Sequence, residues 1–299
     1  MVPSPGVCEP PATVRAGGVG TIPSMTDASP PAPHQARGAA ESFGADAARY
    51  DRTRPHYPQA LVDRIVAASP GPDVLDVGVG TGISARPFLR AGCTVLGIDV
   101  DARMAEFARE TGITVEVARF EDWDPAGRSF DAVVAGQTWH WVDPVVGARR
   151  AAAVLRPGGR LALFWNVFVP PPELSHAMAE VYRRELPDTP FSMNRVLPGV
   201  EPYGAILDAT ADGIRSAGAF DEPERWRFDW ERPYTRHEWL EQVPTFGGHN
   251  RFPPEVLGRL LEGIGAAVDA VGGRFVMGYS AVVVTAARAP VPAPDTTAP

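Results

Sequence analysis

A short apolar strand that runs straight into three closely spaced glycines constrains this chain more than any other feature. The stretch Val74-Leu75-Asp76-Val77-Gly78-Val79-Gly80-Thr81-Gly82 has the form of a strand, a Gly-x-Gly-x-Gly loop and a helix start, which is the pattern of a nucleotide-binding turn. Its glycines remove the Cβ atoms that would hold an adenosyl group away from the backbone, and the helix start offers unpaired N–H donors. Asp99 stands 21 residues after Gly78, at the end of the next expected strand, where a carboxylate can accept both hydroxyls of a ribose. Asp76, two residues before Gly78, is placed to hold an amino or cationic group beside the turn.

Around this turn, short apolar runs alternate with helical spacing, the signature of βα units and a parallel sheet. Strands are expected at 74–77, 94–98, 113–117, 131–135 and 161–165, with helices at 83–90, 102–110 and 144–155 between them. Pro58 is expected to open an earlier helix, and Asp143-Pro144 is an N-cap followed by a first-turn proline. The alternation stops at 169–222, where two helical patterns suggest an inserted cap. A strand at 226–230, a capping box at Thr235–Glu238, a helix from Pro254 and a last strand at 278–286 complete the pattern. Residues 1–38 are rich in Pro, Ala, Gly, Ser and Thr, and the first aromatic residue is Phe43. Such a segment has too little apolar surface to offset its conformational entropy, so 1–38 and 289–299 are expected to be disordered tails around a 39–288 domain.

Composition excludes several function classes. The chain has no lysine, since all 28 basic residues are arginine, which removes a P-loop lysine, a pyridoxal Schiff base and a lysine general base. The 36 acidic residues leave a net charge of −8, the wrong sign for gripping phosphate backbones, so no nucleic-acid partner is expected. Cys8 and Cys93 are the only cysteines, too few for a disulfide framework or a metal knuckle. No apolar run reaches membrane-spanning length and no secretory pattern opens the chain, so no membrane partner and a cytoplasmic location are expected.

The competing cofactor is a nicotinamide dinucleotide, whose loop is G-x-G-x-x-G. Here Ile83 occupies the place of that third glycine, and no Tyr-x-x-x-Lys is available.

These motifs together resemble the class I S-adenosylmethionine-dependent methyltransferases of the broad type 11 group. L-D-V-G-V-G-T-G is similar to the family's first motif and G-I-D-V-D (97–101) to its second. F-D-A-V-V (130–134) resembles its fourth strand, and L-R-P-G-G (155–159) the turn before the fifth. The resemblance implies a Rossmann-like, doubly wound sheet of seven strands, mostly parallel with the last antiparallel, and S-adenosyl-L-methionine as cofactor. It also implies a cofactor set of Tyr50, Arg54, Asp76, Gly78, Gly80, Gly82, Asp99, Phe120, Glu121 and Gln137. Phe120 and Glu121 would flank the adenine, although Arg119 stands where relatives often carry an acid. Asp76 and Gln137 would lie near the methionine end, and Tyr50 and Arg54 would close over it. A fixed guanidinium suits a carboxylate, whereas an exposed arginine in a helix connection is the other reading of Arg54.

Gln137-Thr138-Trp139-His140-Trp141 follows the fourth strand, at the sheet edge where such folds hold ligands. The aromatic–His–aromatic string resembles a subgroup that includes trans-aconitate methyltransferase-like proteins. On that reading His140 is a candidate general base and Trp139 and Trp141 hold a small-molecule acceptor. On the other, His140 packs against the backbone, the tryptophans fill core, and transfer needs only alignment and desolvation. No Asn-Pro-Pro-Tyr follows the fourth strand and no acidic metal cluster is evident, so neither a nucleic-acid base nor a metal ion is expected. The alternatives from other classes are a non-catalytic S-adenosylmethionine-binding module and an NAD(P)-dependent oxidoreductase.

Overall fold

Central strands of this chain are apolar on both faces because both faces are covered. In β1 (Asp73–Val77) the last four side chains are buried, and in β4 (Phe130–Gly136) the first six are. The computed structural model describes residues 43–187 and 203–290; the expected tail at 1–38, all but the first two residues of the expected tail at 289–299, and Phe191 and Met193 of the expected cap lie outside them, while Ala289 N donates to Ala219 O at 3.0 Å and so still belongs to the described domain. The remaining strands are β2 (Thr94–Asp99), β3 (Thr114–Val117), β5 (Leu155–Val169), β6 (Glu224–Thr235) and β7 (Arg274–Ala287). They form one sheet in the order β3-β2-β1-β4-β5-β7-β6. Strands β1 to β5 pair in parallel, and β7 lies antiparallel between β5 and β6. The sheet is therefore Rossmann-like and doubly wound, with its order reversing between β1 and β4. Ligands of such folds sit outside the carboxyl ends of the strands at that point.

The helices are α1 (Ala47–Thr53), α2 (Gln59–Ala67), α3 (Ala85–Arg90), α4 (Ala102–Glu110), α5 (Pro144–Val154), α6 (Pro172–Glu185), α7 (Gly204–Ala217), α8 (Arg236–Gln242) and α9 (Pro254–Ala270). Several starts follow from side-chain caps. Asp143 accepts from Val145 N and Val146 N at the head of α5, and Thr235 and Glu238 make a complete capping box on α8. Pro58 caps α2 from just outside rather than filling its first position. Asp101, and not Asp99, is the cap of α4, accepting from Arg103 N at 3.0 Å. Helix α3 starts at Ala85, two residues later than expected, because the glycine turn takes up 78–84.

Strand β6 is longer than the expected 226–230 for a physical reason. It is a sheet edge, so Arg225, Arg227, Asp229 and Glu231 alternate toward solvent and Pro233 sits where a missing N–H costs little. Its partner β7 likewise extends beyond the expected 278–286. Strands β5 and β7 run together over ten register pairs, from Arg160↔Ala287 to Val169↔Gly278. This ladder carries Phe168 and Tyr279 past the carboxyl edge of the parallel strands.

Three apolar clusters result. One face of the sheet holds Phe120, Trp139 and Trp165 against α5 and α7. The other holds Leu61, Ile65, Phe88 and Phe164 against α2, α3 and α4. The third joins Leu174, Met178 and Tyr182 of α6 to Trp239 of α8, Leu260 and Ile264 of α9, and Met277 and Tyr279 of β7. The two helices of 169–222 therefore serve different layers: α6 belongs to this third cluster and α7 covers α5. Tyr203, at the head of α7, packs against the first cluster.

Helix α7 approaches α5 so closely that a Cβ on Gly213 would lie 2.7 Å from the Pro144 carbonyl oxygen, whereas a Cβ on Gly258 of α9 would meet nothing within 4 Å. Replacing an open helical glycine with alanine should add about 0.5–1 kcal/mol of stability. Urea unfolding should show that gain for Gly258→Ala and the opposite sign, a loss of about 1–3 kcal/mol, for Gly213→Ala.

Candidate active site

The glycine turn is built by backbone bonds to the neighbouring strand. Gly78 N and Val79 N both donate to Ile98 O, at 2.7 and 3.0 Å. Gly78 has φ +69°, and a Cβ there would stand 2.1 Å from Cγ2 of Thr138 in the loop after β4. Only glycine lets these two loops meet. Thr138 Oγ1 closes the junction by donating toward Gly78 O at 3.2 Å and Gly136 O at 3.1 Å.

Two carboxyl groups lie under this turn. Half-buried Asp99 accepts from Gly80 N through one oxygen and from Asp101 N through the other, both at 2.8 Å. Burial pushes its pKa up, and those backbone bonds oppose the shift. Asp76 is fully buried. Its Oδ2 accepts from Ser84 Oγ at 2.6 Å, while Oδ1 has no hydrogen-bond partner. Burial raises Asp76 from its ordinary 3.8 to about 7; the Ser84 bond opposes this and the nearby Asp99 charge adds to it.

The segment ahead of β1 folds over the turn. Asp46 caps α1 by accepting from Arg49 N, which sets Tyr50 and Arg54 on the side of the site. The Arg54 guanidinium lies 4.8 Å from the Tyr50 ring centre and 5.1 Å from that of Phe246. Its Nη2 donates to Thr245 O, and its buried Nε has no partner. Arg54 is thus sandwiched at the site and does not belong to an exposed connection.

After β4 the chain makes a strained corner. Gln137 has φ +57°, an unusual conformation for a residue with a side chain. Its N donates to Phe164 O at 2.8 Å and its Nε2 to Asn166 O at 3.0 Å. Asn166 in turn ties β5 to the preceding segment by donating from Nδ2 to His56 O at 3.1 Å. The 3₁₀ turn Trp139–Trp141 follows. Here Trp165 Nε1 donates to His140 Nδ1 at 3.2 Å. In the neutral ring the proton then resides on Nε2, which acts as a donor.

These elements surround a cavity of about 430 Å³. Of the residues expected at the site, Tyr50, Arg54, Gly78, Gly80, Asp99, Phe120, Glu121, Gln137, His140 and Trp141 line it. Three do not. Asp76 lies behind the wall, Gly82 packs where a Cβ would stand 2.2 Å from Ile113 Cδ1, and Trp139 is core, 1% exposed and 6.0 Å from Phe120. Arg119 lines the cavity with its guanidinium 3.5 Å from Asp122. Sequence reasoning missed Tyr57, Thr81, Asn166, Phe168, Trp239 and Phe246, which also form walls. Tyr57 and Thr81 sit within segments already singled out, whereas Trp239 and Phe246 carry no local signal. Among the described residues, no group of three or more His, Cys, Asp or Glu is arranged to hold a metal ion, and no helix is long and apolar enough to cross a membrane.

Comparison with known proteins bears on the family and the fold. A family model described as a methyltransferase domain matches residues 75–163. An uncharacterized methyltransferase of Mycobacterium tuberculosis is 38% identical over 211 residues, covering 68% of this chain and 76% of that protein. Nocamycin O-methyltransferase of Saccharothrix syringae is 34% identical over 192 residues, covering 56% of this chain and 68% of that one. An Anaeromyxobacter dehalogenans structure described as a type II methyltransferase superposes with a TM-score of 0.58 at 21% identity, over 80% of this chain and 99% of its own. That likeness concerns the fold. None of these proteins is named a trans-aconitate methyltransferase, so that finer resemblance rests on the Trp139-His140-Trp141 string alone.

The buried acid gives the site a pH signature. A carboxyl whose folded pKa exceeds its unfolded one favours the folded state fully below the unfolded value, here 3.8, and loses that contribution as pH rises through about 7. Over that window stability falls by up to about 1.4 kcal/mol per pH unit from this group. Melting temperatures from pH 4 to 8 should therefore fall less steeply for Asp76→Asn than for the parent protein; parallel curves would remove the assignment.

Proposed function

We propose, from the premise that this chain belongs to the class I S-adenosylmethionine-dependent methyltransferases, that it moves a methyl group to a small-molecule acceptor by alignment and exclusion of water. Family membership removes the NAD(P)-dependent oxidoreductase from consideration. S-adenosylmethionine is the cofactor, and when bound it supplies an electrophilic methyl group on a sulfonium.

The observation that carries the reading is a set of unmatched buried polar atoms around one glycine turn. Arg54 Nε is a buried donor, Asp76 Oδ1 a buried acceptor and Thr81 Oγ1 can act as either, and none has a partner. Leaving such groups bare costs about 1–3 kcal/mol each, so a ligand with an α-carboxylate and an α-ammonium fits what the protein leaves open. Arg54 would take the carboxylate, and Asp76, behind the cavity wall, would favour the ammonium by its charge rather than by contact. The oxygens of Asp99 would accept the ribose hydroxyls alongside Gly80 N and Asp101 N. Phe120 and Glu121 would flank the adenine, and Gln137, fixed by its bond to Asn166 O, would bound the methionine end. Gly80 lies on the cavity wall with nothing within 4 Å of a Cβ position, so the backbone there is open to close approach.

The chain's own residues then do three things. Tyr50 and Arg54 cover the turn from α1, the ladder of β5 and β7 closes the far side, and the aromatic walls strip water from the acceptor. With His140 Nδ1 occupied, His140 orients through its Nε2–H and removes no proton. The acceptor is proposed to be a small molecule because the cavity measures about 430 Å³, and the O-methyltransferase from Saccharothrix syringae is named for such a substrate.

Calorimetric titration of S-adenosylhomocysteine tests the assignment. The unsubstituted protein should bind it and should give no heat with NAD⁺. Arg54→Gln removes a charged donor worth about 1.5–3 kcal/mol and should weaken binding about tenfold or more. Unchanged affinity would detach Arg54 from the cofactor.

A further inference from the structure

Past Gln137 the cavity changes character. Its described charged lining residues, Arg54, Asp99, Arg119 and Glu121, all belong to the cofactor set or its flank. The far half is bounded by Phe168, Trp239, Phe246 and Met277, and the Arg54 guanidinium reaches its edge, 5.1 Å from the Phe246 ring centre. The Phe246 ring centre lies 5.5 Å from that of Phe168 and 5.7 Å from that of Trp239. These rings form a continuous aromatic wall of the kind that takes a flat conjugated ring system, and none of the four wall residues is a carboxylate that would hold an ammonium.

Two polar features interrupt the wall. Trp239 is 3% exposed, and its buried Nε1–H has no hydrogen-bond partner. Tyr182 of α6 also lines the cavity, and its hydroxyl lies 2.8 Å from His249 Nε2. His249 is fully buried behind Tyr182, between the rings of Phe246 at 5.6 Å and Phe252 at 5.0 Å. An imidazole placed there communicates with the cavity through the Tyr182 hydroxyl. Burying a titratable ring among phenylalanines is costly unless it is hydrogen-bonded, and the Tyr182 hydroxyl supplies that bond on the side facing the cavity.

We propose that the far half binds a planar hydroxylated aromatic acceptor and that Tyr182 and His249 form the relay that takes its proton. The proposal rests on the methyltransferase reading above and names the acceptor of that same site. The ring system lies against Phe168 and Phe246, an oxygen on it accepts from Trp239 Nε1–H, and the hydroxyl meets Tyr182. In the proton step the acceptor O–H bond breaks and its electron pair stays on oxygen. The proton passes to Tyr182 Oη while the Tyr182 proton passes to His249 Nε2. The products are a bound aryloxide and a buried imidazolium, so charge and atoms balance. This pair supplies the base that His140 cannot, because its Nδ1 is held by Trp165.

The probe is 7-hydroxycoumarin, whose aryloxide absorbs at longer wavelength than its protonated form, added to the full-length protein saturated with S-adenosylhomocysteine. At a pH where the free probe is protonated, the bound probe should show the aryloxide band. Tyr182→Phe and His249→Gln, which preserve most of the packing, should keep probe affinity within about threefold and lose the band. Trp239→Phe should keep the band and weaken binding about tenfold. A pair that merely ties α6 to the loop would instead lower the melting temperature in both variants and leave the band intact, which overturns the relay. Absence of probe binding in a protein that binds S-adenosylhomocysteine overturns the acceptor class alone. Failure to bind S-adenosylhomocysteine overturns the methyltransferase reading as well.

Discussion

Everything in the site depends on two loops meeting with no side chain between them. The turn after β1 and the turn after β4 touch at Gly78 and Thr138, where even a methyl group would overlap by more than an ångström. Because these two strands are neighbours at the reversal of the sheet order, the contact forms the floor of the cavity. Asp99 then fixes Gly80 from the next strand, and Gln137 fixes the other loop through Phe164 and Asn166. The floor is thus held by backbone groups, and it leaves side chains such as Arg54, Asp99 and His140 to face inward.

That arrangement sets stability against function in one place. A carboxyl buried under the turn with one oxygen unmatched, close to a second carboxyl, is a poor choice for stability alone. So are an arginine Nε buried without a partner and a glutamine at positive φ. Conflicts of this kind are expected where a protein holds something else, and Arg54, Gln137 and Thr81 bring theirs to one cavity, whereas Arg160 Nε, the Gln242 amide and Ala126 at φ +50° lie away from it. The rest of the sheet is locally consistent, with apolar strands, acidic caps and charged edges each where the physics puts them.

The floor was legible in the sequence and the far wall was not. Strand, glycines and Asp99 are punctuated by residue types with one structural meaning each, so β1, β2 and the turn could be placed to within a residue or so. Gln137 could be named only through a family likeness, since a left-handed non-glycine residue leaves no mark in composition. Trp139, His140 and Trp141 are consecutive, yet a single 3₁₀ turn sends the first into the core and the other two to the cavity. The role of His140 depends on Trp165, 25 residues later on another strand. Trp239, Phe246 and His249 come from the far end of the chain and join the site only because β5 and β7 extend together, a long-range pairing that no local period reveals. Strand β6 was underestimated because an edge strand alternates charge where a central one does not.

The position of β7 also has a consequence in time. Strand β6 finds its partner only in β7, which must enter between β5 and β6 after both exist. A chain still emerging from the ribosome can pair β1 to β5, but it carries β6 unpaired until some fifty further residues have been made, a matter of seconds at about 5–20 residues per second. Trp226, Phe228 and Trp230 lie on that waiting strand. The nascent protein therefore passes through an interval with an open sheet edge and exposed tryptophan, which makes its last strand the step that decides between completion and aggregation.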